Sequence, residues 1–547
     1  MNILNFLSIY LKYFLLLIFL YCLGRAFFII LSRIFINKTL LSKSFFETNI
    51  NIFYPIFGVF FLGNVLNLIN FFLPLKSNLT FFIIFLLLLS NLLELNKNFK
   101  FKIQEVLLYL FVPFVLVFSF YDINFHYDAG YYHLGHQQWL RESNIIFGFV
   151  NIFWPYGISS IYEYIGSFLL IDSSFQSLHS LNLIFIATLY YFIGHELFLK
   201  KQSVYFYPSI FLLIFAFLDN FGFSGGRNGF LYIEGITAFD TPVGVVFLFF
   251  CLFMFIRLKD KTFVPLELIA STSLIIFLVQ MKLSTVIVSL MYLFYLSIFI
   301  KNSNYPLKKI LFFLTPNIVI YCFWLIKNVL TTGCLIFPLS LTCFSNFSWY
   351  LPESTEQYQY ITTEFSGSYN LSSNIFVWAK EFYSIDINRV VLLNFVISFL
   401  FVFLLSKFFF LNKKTKNTLI YIFLISNLVF LIFFGPIPRY AIGFLMFCVC
   451  FIGFKVQRSR INIPKSIYLF FFVISLVLIP RVNSYLSFID ESVNLSLPYI
   501  ELIQVSERWT SPIPGEDQCW LNQFCSAERE GLVTLKDGFF QTAYREK

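Results

Sequence analysis

Two aspartates and three histidines lie in residues 121–164, a segment that is flanked on both sides by long apolar runs. Asp122 and Asp128 follow directly on the run that ends near Phe120, so we expect both carboxylates at the boundary between water and hydrocarbon. Partial loss of hydration raises the basicity of a carboxylate, which suits it to accept a proton from an alcohol. This segment is therefore the candidate active site.

Residues 128–142 show helical periodicity. We predict an interfacial helix that is aromatic on one side and polar on the other. A Trp-Pro-Tyr-Gly turn at residues 154–157 follows it, and residues 158–170 are expected to dip into the membrane or lie flat on it. One stripe of the predicted helix carries Asp128, Tyr132, Gly135 and Trp139, and another carries His133 and Gln137.

Other interpretations of this segment need no catalysis. Tyr and Trp are common at any membrane interface because their rings are amphipathic, and acidic residues are common in outside loops. His126, His133 and His136 could bind zinc, but a further carboxylate or thiol at ligand spacing is missing.

The composition predicts an integral membrane protein. Of 547 residues 59% are hydrophobic and 12% are charged, with a mean hydropathy of +0.78, whereas soluble domains carry roughly a quarter charged residues. A helix needs about 20 apolar residues to cross the bilayer. The first apolar stretch is interpreted as a retained span, since no basic residue precedes Lys12 and no cleavage pattern follows. We count about 14 spans, at approximately 5–24, 52–73, 79–93, 105–120, 176–199, 203–219, 241–257, 264–280, 283–300, 309–326, 390–411, 418–435, 441–454 and 466–480.

Basic residues concentrate in alternate loops, which predicts the orientation because Lys and Arg are retained on the cytoplasmic side. The net charge of +9 is mostly this orientation signal, so a nucleic-acid partner is not expected. The loops predicted to be extracytoplasmic are 121–175, 219–240, 327–389, 436–440 and the tail from residue 481.

Two of the nine cysteines, Cys519 and Cys525, lie in the predicted outside tail, and the other seven lie in or near spans. An oxidising compartment permits a disulfide between Cys519 and Cys525, and two free thiols are the alternative.

Several motifs resemble the GT-C superfamily of polyprenyl-phosphate-sugar-dependent glycosyltransferases. An acidic residue just beyond a span opens a long outside loop, which continues to the Trp154-Pro155-Tyr156-Gly157 turn. More closely, the chain looks like a poorly characterised bacterial multi-pass family that is related to that superfamily. Further similar motifs are Asp240-Thr241-Pro242, the segment Gln280-Met281-Lys282, the residues from Lys327 to Gly333, the Gly-Pro-Ile-Pro-Arg-Tyr motif at 435–440, and the tail pattern through Cys519 and Gly538-Phe539.

The resemblance implies an all-α polytopic bundle whose large first extracytoplasmic loop carries the catalytic acid. Asp128 is the first candidate and Asp122 the second, although Ala129 follows Asp128 where several members have an adjacent acidic pair. The implied units are 1–120 (spans), 121–175 (active-site loop), 176–326 (spans), 327–389 (second outside loop), 390–480 (spans) and 481–547 (outside tail). The implied substrate-binding residues are Tyr132, His133, Trp154, Tyr156, Asp240, Lys282 and Arg439.

A cation at membrane depth is costly unless it faces a cavity or a counter-ion, so Lys282 and Arg439 could hold a donor phosphate; snorkelling to the surface is the alternative. The expected function is transfer of a sugar from a polyprenyl-phosphate donor to a glycan, lipid or protein acceptor on the extracytoplasmic face of a bacterial inner membrane. No cofactor is firmly implied, and use of Mg²⁺ or Mn²⁺ stays open. A transporter, flippase or polymerase of lipid-linked glycans is the rival expectation.

Overall fold

The apolar stretches fold as helices because a helix satisfies its own backbone hydrogen bonds where water is scarce. The computed structural model describes residues 2–36, 44–94, 102–158, 160–170, 175–200, 203–221, 233–260, 264–364, 374–411, 442–459, 464–490, 497–506, 508–513, 516–527, 533–536 and 540–545. The α-helices are α1 Asn2–Leu31, α2 Tyr54–Asn70, α3 Asn78–Leu89, α4 Ile103–Leu116, α5 Leu134–Glu142, α6 Ile161–Leu169, α7 Gln176–Gly194, α8 Phe206–Phe221, α9 Asp240–Asp260, α10 Pro265–Met281, α11 Ser289–Asn302, α12 Leu307–Thr332, α13 Pro352–Glu364, α14 Ile375–Ser384, α15 Asp386–Ser406, α16 Ile442–Phe454, α17 Lys465–Val477 and α18 Val482–Asp490.

The strands form two-stranded antiparallel ribbons, and short 3₁₀ or π turns extend several helices. A π-helical turn, Ala129–His133, leads into α5, and a 3₁₀ turn, Leu283–Val288, joins α10 to α11. The strand pairs are β1 Ser44–Phe45 with β2 Thr48–Asn49, β3 Phe409–Leu411 with β4 Val456–Ser459, β5 Leu502–Gln504 with β6 Thr510–Pro512, and β7 Val533–Lys536 with β8 Thr542–Arg545.

The described residues include 7 helical segments that are long and apolar enough to cross a membrane, or up to 8 if the bent pair α17 and α18 is one span. Each predicted span that falls on described residues coincides with a helix, while 418–435 lies outside them. Several of these helices are shorter than a full span, so the larger span count stays a prediction. Large apolar side chains such as Leu7, Phe85 and Phe401 are exposed on the helix surfaces, as contact with lipid requires.

Helices α1 and α2 are in close contact because glycines face each other across their interface. A Cβ atom on Gly24 would lie 1.9 Å from the Tyr54 carbonyl oxygen, and one on Gly58 would lie 1.9 Å from the Leu20 carbonyl oxygen. Only glycine permits this backbone approach, which is a common way for apolar helices to pack.

A buried ion pair joins α9 to α10 near the basic loop after α9. Arg257 Nη2 lies 2.5 Å from Glu267 Oε1, and both side chains are only 5% exposed. The same carboxylate oxygen accepts a hydrogen bond from the Phe46 backbone nitrogen at 2.8 Å, and the Phe46 ring stacks on Phe253. The loop before α2 is thereby attached to the helices.

Replacing Arg257 by Met should lower the unfolding free energy by about 3–5 kcal/mol, because it leaves the Glu267 carboxylate buried without its cation. Thermal unfolding in detergent would measure the loss. Adding Glu267→Leu to that variant should restore most of the stability, whereas Arg389→Met, which breaks an exposed pair with Asp386, should change little. A stable single Arg257→Met variant would show that the buried pair does not stabilise the fold.

Candidate functional site

A polar pocket of about 260 Å³ gathers residues from the predicted active-site loop and from four later segments of the chain. It lies where the start of the helix at 127–142, the segment 233–240, the end of α10 and the end of α12 meet. The lining residues are His126, Asp128, Tyr132, His133, Gly157, Ile158, Glu234, Ala238, Phe239, Asp240, Val279, Gln280, Met281, Lys282, Leu283, Trp324, Asn328, Ile336 and Phe337.

Backbone hydrogen bonds place the segment before α9 beside the active-site loop. The His126 nitrogen donates to the Ile236 carbonyl at 3.3 Å, and the Ile236 nitrogen donates to the Asn124 carbonyl at 2.8 Å. The Asn182 side chain fixes the same segment by donating to the Ala238 carbonyl at 2.8 Å. Asp128 and Asp240 therefore face one pocket although more than a hundred residues separate them in the chain.

Lys282 reaches the pocket at the end of α10. The Ser160 hydroxyl donates to the Met281 carbonyl at 2.8 Å, which ties this helix end to the start of α6. Lys282 Nζ forms an ion pair with Asp240, and their side chains are 21% and 13% exposed. The lysine charge is thus partly offset by a neighbouring carboxylate.

His133 is held by a buried carboxylate behind the pocket. Its Nδ1 atom is hydrogen-bonded to Glu163 of α6, and the two side chains are only 5% and 3% exposed. Gln137, one turn further along α5, donates to the other Glu163 oxygen at 3.0 Å. Burial alone would raise the pKa of Glu163, but the charge and hydrogen bond of His133 outweigh it, so this pKa lies below its ordinary value. The ionised carboxylate fixes the orientation of the imidazole.

Asp128 stands at the mouth of the pocket with 35% of its side chain exposed, which leaves it accessible to a ligand. Its backbone nitrogen donates to His126 Nδ1 at 3.2 Å, and its Oδ2 lies 3.5 Å from the same nitrogen. Asp128, Glu234 and Asp240 give the pocket three carboxylates against one lysine. This arrangement can accept a proton and bind a hydroxylated ligand.

The C-terminal tail packs against this mouth. The Cys519 and Trp520 nitrogens donate to the Gly130 carbonyl at 2.8 and 3.0 Å. A Cβ atom on Gly130 would lie 2.4 Å from Gln518 Oε1 and 2.7 Å from the Trp520 ring, so the contact requires glycine. The Tyr127 hydroxyl donates to Asp517, and this hydrogen bond raises the pKa of Tyr127 to about 12.

The structure brings together only part of the predicted site. Five predicted residues line the pocket: Asp128, Tyr132, His133, Asp240 and Lys282. Three do not line it. Asp122 ends the 3₁₀ turn Val117–Asp122 after α4, Trp154 stacks on Tyr358, and Tyr156 is 1% exposed and lines a separate small cavity. Arg439 lies outside the described residues.

Other features of the site were absent from the sequence analysis. Glu163 is a lone acid in an apolar helix, which is itself a signal of a buried polar contact, but nothing local identifies His133 as its partner. Glu234 accepts a hydrogen bond from the Thr241 nitrogen at 3.1 Å at the start of α9. Every residue of α6 is buried within the protein, and the expectation that residues 158–170 dip into the membrane or lie flat on it stays a prediction.

The structure contains a disulfide between Cys519 and Cys525, with a Cα–Cα distance of 5.6 Å. A second disulfide joins Cys334 and Cys343, which are two of the seven cysteines predicted to lie in or near spans. Among the described residues, no group of three or more His, Cys, Asp or Glu side chains is placed to hold a metal ion.

Fold and site together define a mostly helical protein with several helices able to cross a membrane and a polar pocket between helix ends. The chain belongs to a family described as a domain of unknown function, DUF8201, whose model matches residues 6–446. All residues that line the pocket fall within this match, whereas the C-terminal tail lies beyond it. No curated protein and no solved structure matches the chain.

A second, small cavity of about 10 Å³ lies beside α5 and is lined by His136 among others. Burial lowers the pKa of His136 to about 3; Glu163 opposes this shift, and Lys327 and His133 add to it. In the unfolded chain a histidine titrates near 6.5. Below that pH the unfolded state binds a proton that the folded state does not, so stability falls as the pH falls.

Lowering the pH from 7 to 5 should therefore cost the wild-type protein about 1–2 kcal/mol through His136 alone. The His136→Gln variant should lose less stability over the same interval, as measured by unfolding in detergent at both pH values. An equal loss in both proteins would show that His136 does not set the acid sensitivity.

Proposed function

We propose that this protein is an integral-membrane glycosyltransferase that moves a sugar from a polyprenyl-phosphate donor to an acceptor on the extracytoplasmic face, in cell-surface glycan synthesis. The observation that carries the proposal is the convergence of Asp128, Asp240 and Lys282 in one pocket. The resemblance to GT-C enzymes implies that these residues serve one reaction. They come from segments that lie far apart in the chain. Their shared pocket is large enough for a sugar-sized ligand and is accessible at Asp128.

In the proposed reaction the acceptor hydroxyl enters from the aqueous side and Asp128 takes its proton. The acceptor oxygen forms a bond to the anomeric carbon as the bond from that carbon to the phosphate oxygen breaks. The bonding electrons leave with the polyprenyl phosphate, and Lys282 faces the charge that develops there. One in-line displacement of this kind inverts the anomeric configuration. Asp240 holds Lys282 in place.

His133 serves to bind and orient a hydroxyl group. Because Glu163 holds Nδ1, the other ring nitrogen, Nε2, is left to form a hydrogen bond with a ligand hydroxyl. His133 lines the pocket while Glu163 lies behind it, so the carboxylate acts through the imidazole as a positioning residue.

Asp128→Asn should lower turnover by about 10²–10⁴-fold, because an amide cannot accept the proton, while membrane insertion stays intact. The assay uses purified protein in detergent with a panel of radiolabelled polyprenyl-phosphate sugars. Glu142→Gln is the matched control, since this acid of the same loop pairs with Lys76 outside the pocket. An unaffected Asp128→Asn enzyme with an inactive Asp122→Asn enzyme would reverse the assignment of the base.

The same assay separates the enzyme from a transporter or flippase. An enzyme forms product in detergent, whereas a carrier acts only between two compartments. Wild-type protein that forms no product from any donor, but moves a lipid-linked sugar across proteoliposomes, would overturn the proposal.

Glu163→Gln should lower turnover by about 10²-fold without lowering the unfolding midpoint by more than a few degrees. The Gln137 amide donates to one oxygen at position 163, so the new amide nitrogen would face His133 Nδ1 and shift the imidazole proton to Nε2. The double variant with His133→Gln should be no slower than His133→Gln alone. Additive losses would mean that Glu163 does not act through His133.

A further inference from the structure

The small cavity beside α5 lies next to the polar pocket but is distinct from it. Trp324 of α12 lines the pocket, and Lys327, one turn further along the helix, lines the small cavity. Lys327 Nζ lies 3.7 Å from the centre of the Trp324 ring and 5.9 Å from that of Tyr164. The cavity volume, about 10 Å³, corresponds to about one water-sized probe, so the site holds at most one water molecule or small ion.

Lys327 is a buried cation that no described residue neutralises. Its side chain is 1% exposed, and Nζ has no hydrogen-bond partner. Glu163 is bonded to His133 and Gln137 and forms no ion pair with Lys327 among the described residues. The aromatic rings offset part of the charge, but an unpaired charge in a water-poor interior still carries a large desolvation penalty.

Two further polar atoms around the cavity lack partners. Trp139 Nε1 and His136 Nδ1 are buried and make no hydrogen bond, and both residues are 2% exposed. The indole nitrogen can only donate, as can the charged Lys327 ammonium. No carboxylate lines the cavity among the described residues. The site therefore offers donors and a positive charge, and what is missing is a negatively charged acceptor.

We propose that this cavity binds one small monovalent anion of the halide class, with chloride as the natural occupant. The anion would accept hydrogen bonds from Lys327 and Trp139 and supply the absent counter-charge. A water molecule could accept the same hydrogen bonds but would leave the charge uncompensated. Because Lys327 belongs to α12 and Trp139 to α5, the anion would join these two helices. This inference does not depend on the proposed enzymatic activity.

Thermal unfolding of the full-length protein in detergent tests the site, with sodium gluconate replaced stepwise by sodium chloride or bromide at constant ionic strength. The midpoint should rise with halide concentration and saturate, as expected for a ligand that binds only the folded state. Lys327→Met should abolish the dependence, and Trp139→Phe should weaken the apparent affinity about tenfold through loss of one hydrogen bond to an ion. Lys309→Met is the matched control, because this exposed lysine of the same helix also lies over an aromatic ring, Tyr305, and its replacement should leave the dependence intact.

A direct measurement keeps the proposal testable if Lys327 variants do not fold. Wild-type crystals grown in sodium bromide should show an anomalous peak between Lys327 and Trp139. Three results would each overturn the proposal. Equal unfolding midpoints in gluconate and halide, or the absence of a bromide peak in this cavity, would favour a water molecule as the occupant. A halide dependence that survives Lys327→Met would indicate a halide site elsewhere in the protein.

Discussion

The hydrogen-bonded contact between Glu163 and His133 is the constraint on which the geometry of the pocket depends. A carboxylate that is 3% exposed must be paired, because an isolated buried charge is very costly. His133 ends the π-helical turn that leads into α5, and Gln137 lies one turn further along, so only one rotation of this continuous helix satisfies both carboxylate oxygens. Gly166 leaves the space that Gln137 occupies, since a Cβ there would lie 2.5 Å from Gln137 Nε2. Once this register is fixed, Asp128 and Tyr132 face the pocket.

Polar groups in this protein collect in separate places within a largely apolar bundle. One set surrounds the pocket, where Lys282 pairs with Asp240. Another joins the loop before α2 to the ends of α9 and α10, through Arg257 and Glu267. Each charge is matched nearby because apolar surroundings screen poorly. Lys327 departs from this pattern, because no described residue forms a hydrogen bond or an ion pair with its Nζ atom.

Local sequence patterns predicted those parts of the site that depend on residues close together in the chain. Helical spacing put His133 and Gln137 on one stripe, and both contact Glu163 in the structure. The partner itself lies 30 residues from His133, and no local pattern encodes that distance. Lys282 and Asp240 were expected to act on ligands separately; their ion pair is a tertiary contact that the sequence could not reveal.

Aromatic residues were the least reliable guide to the site. Trp154 and Tyr156 have the composition of a binding surface, yet Trp154 stacks on Tyr358 and Tyr156 is buried against Phe149. An amphipathic ring is stabilised as much by packing as by contact with a ligand. Its presence near a membrane boundary therefore does not distinguish a binding site from ordinary packing. Buried charged groups are a better indication of a functional site, because their burial requires a partner.

The C-terminal tail docks beside the mouth of the pocket, at Tyr127 and Gly130, although it lies beyond the family match. The disulfide between Cys519 and Cys525 closes a short loop, and the first residues of that loop bond to the Gly130 carbonyl. Gly130 is two positions from Asp128, and any side chain there would collide with Gln518 and Trp520. A larger residue would have to displace either the tail or the helix start. The docking of the tail beside Asp128 therefore requires glycine at position 130.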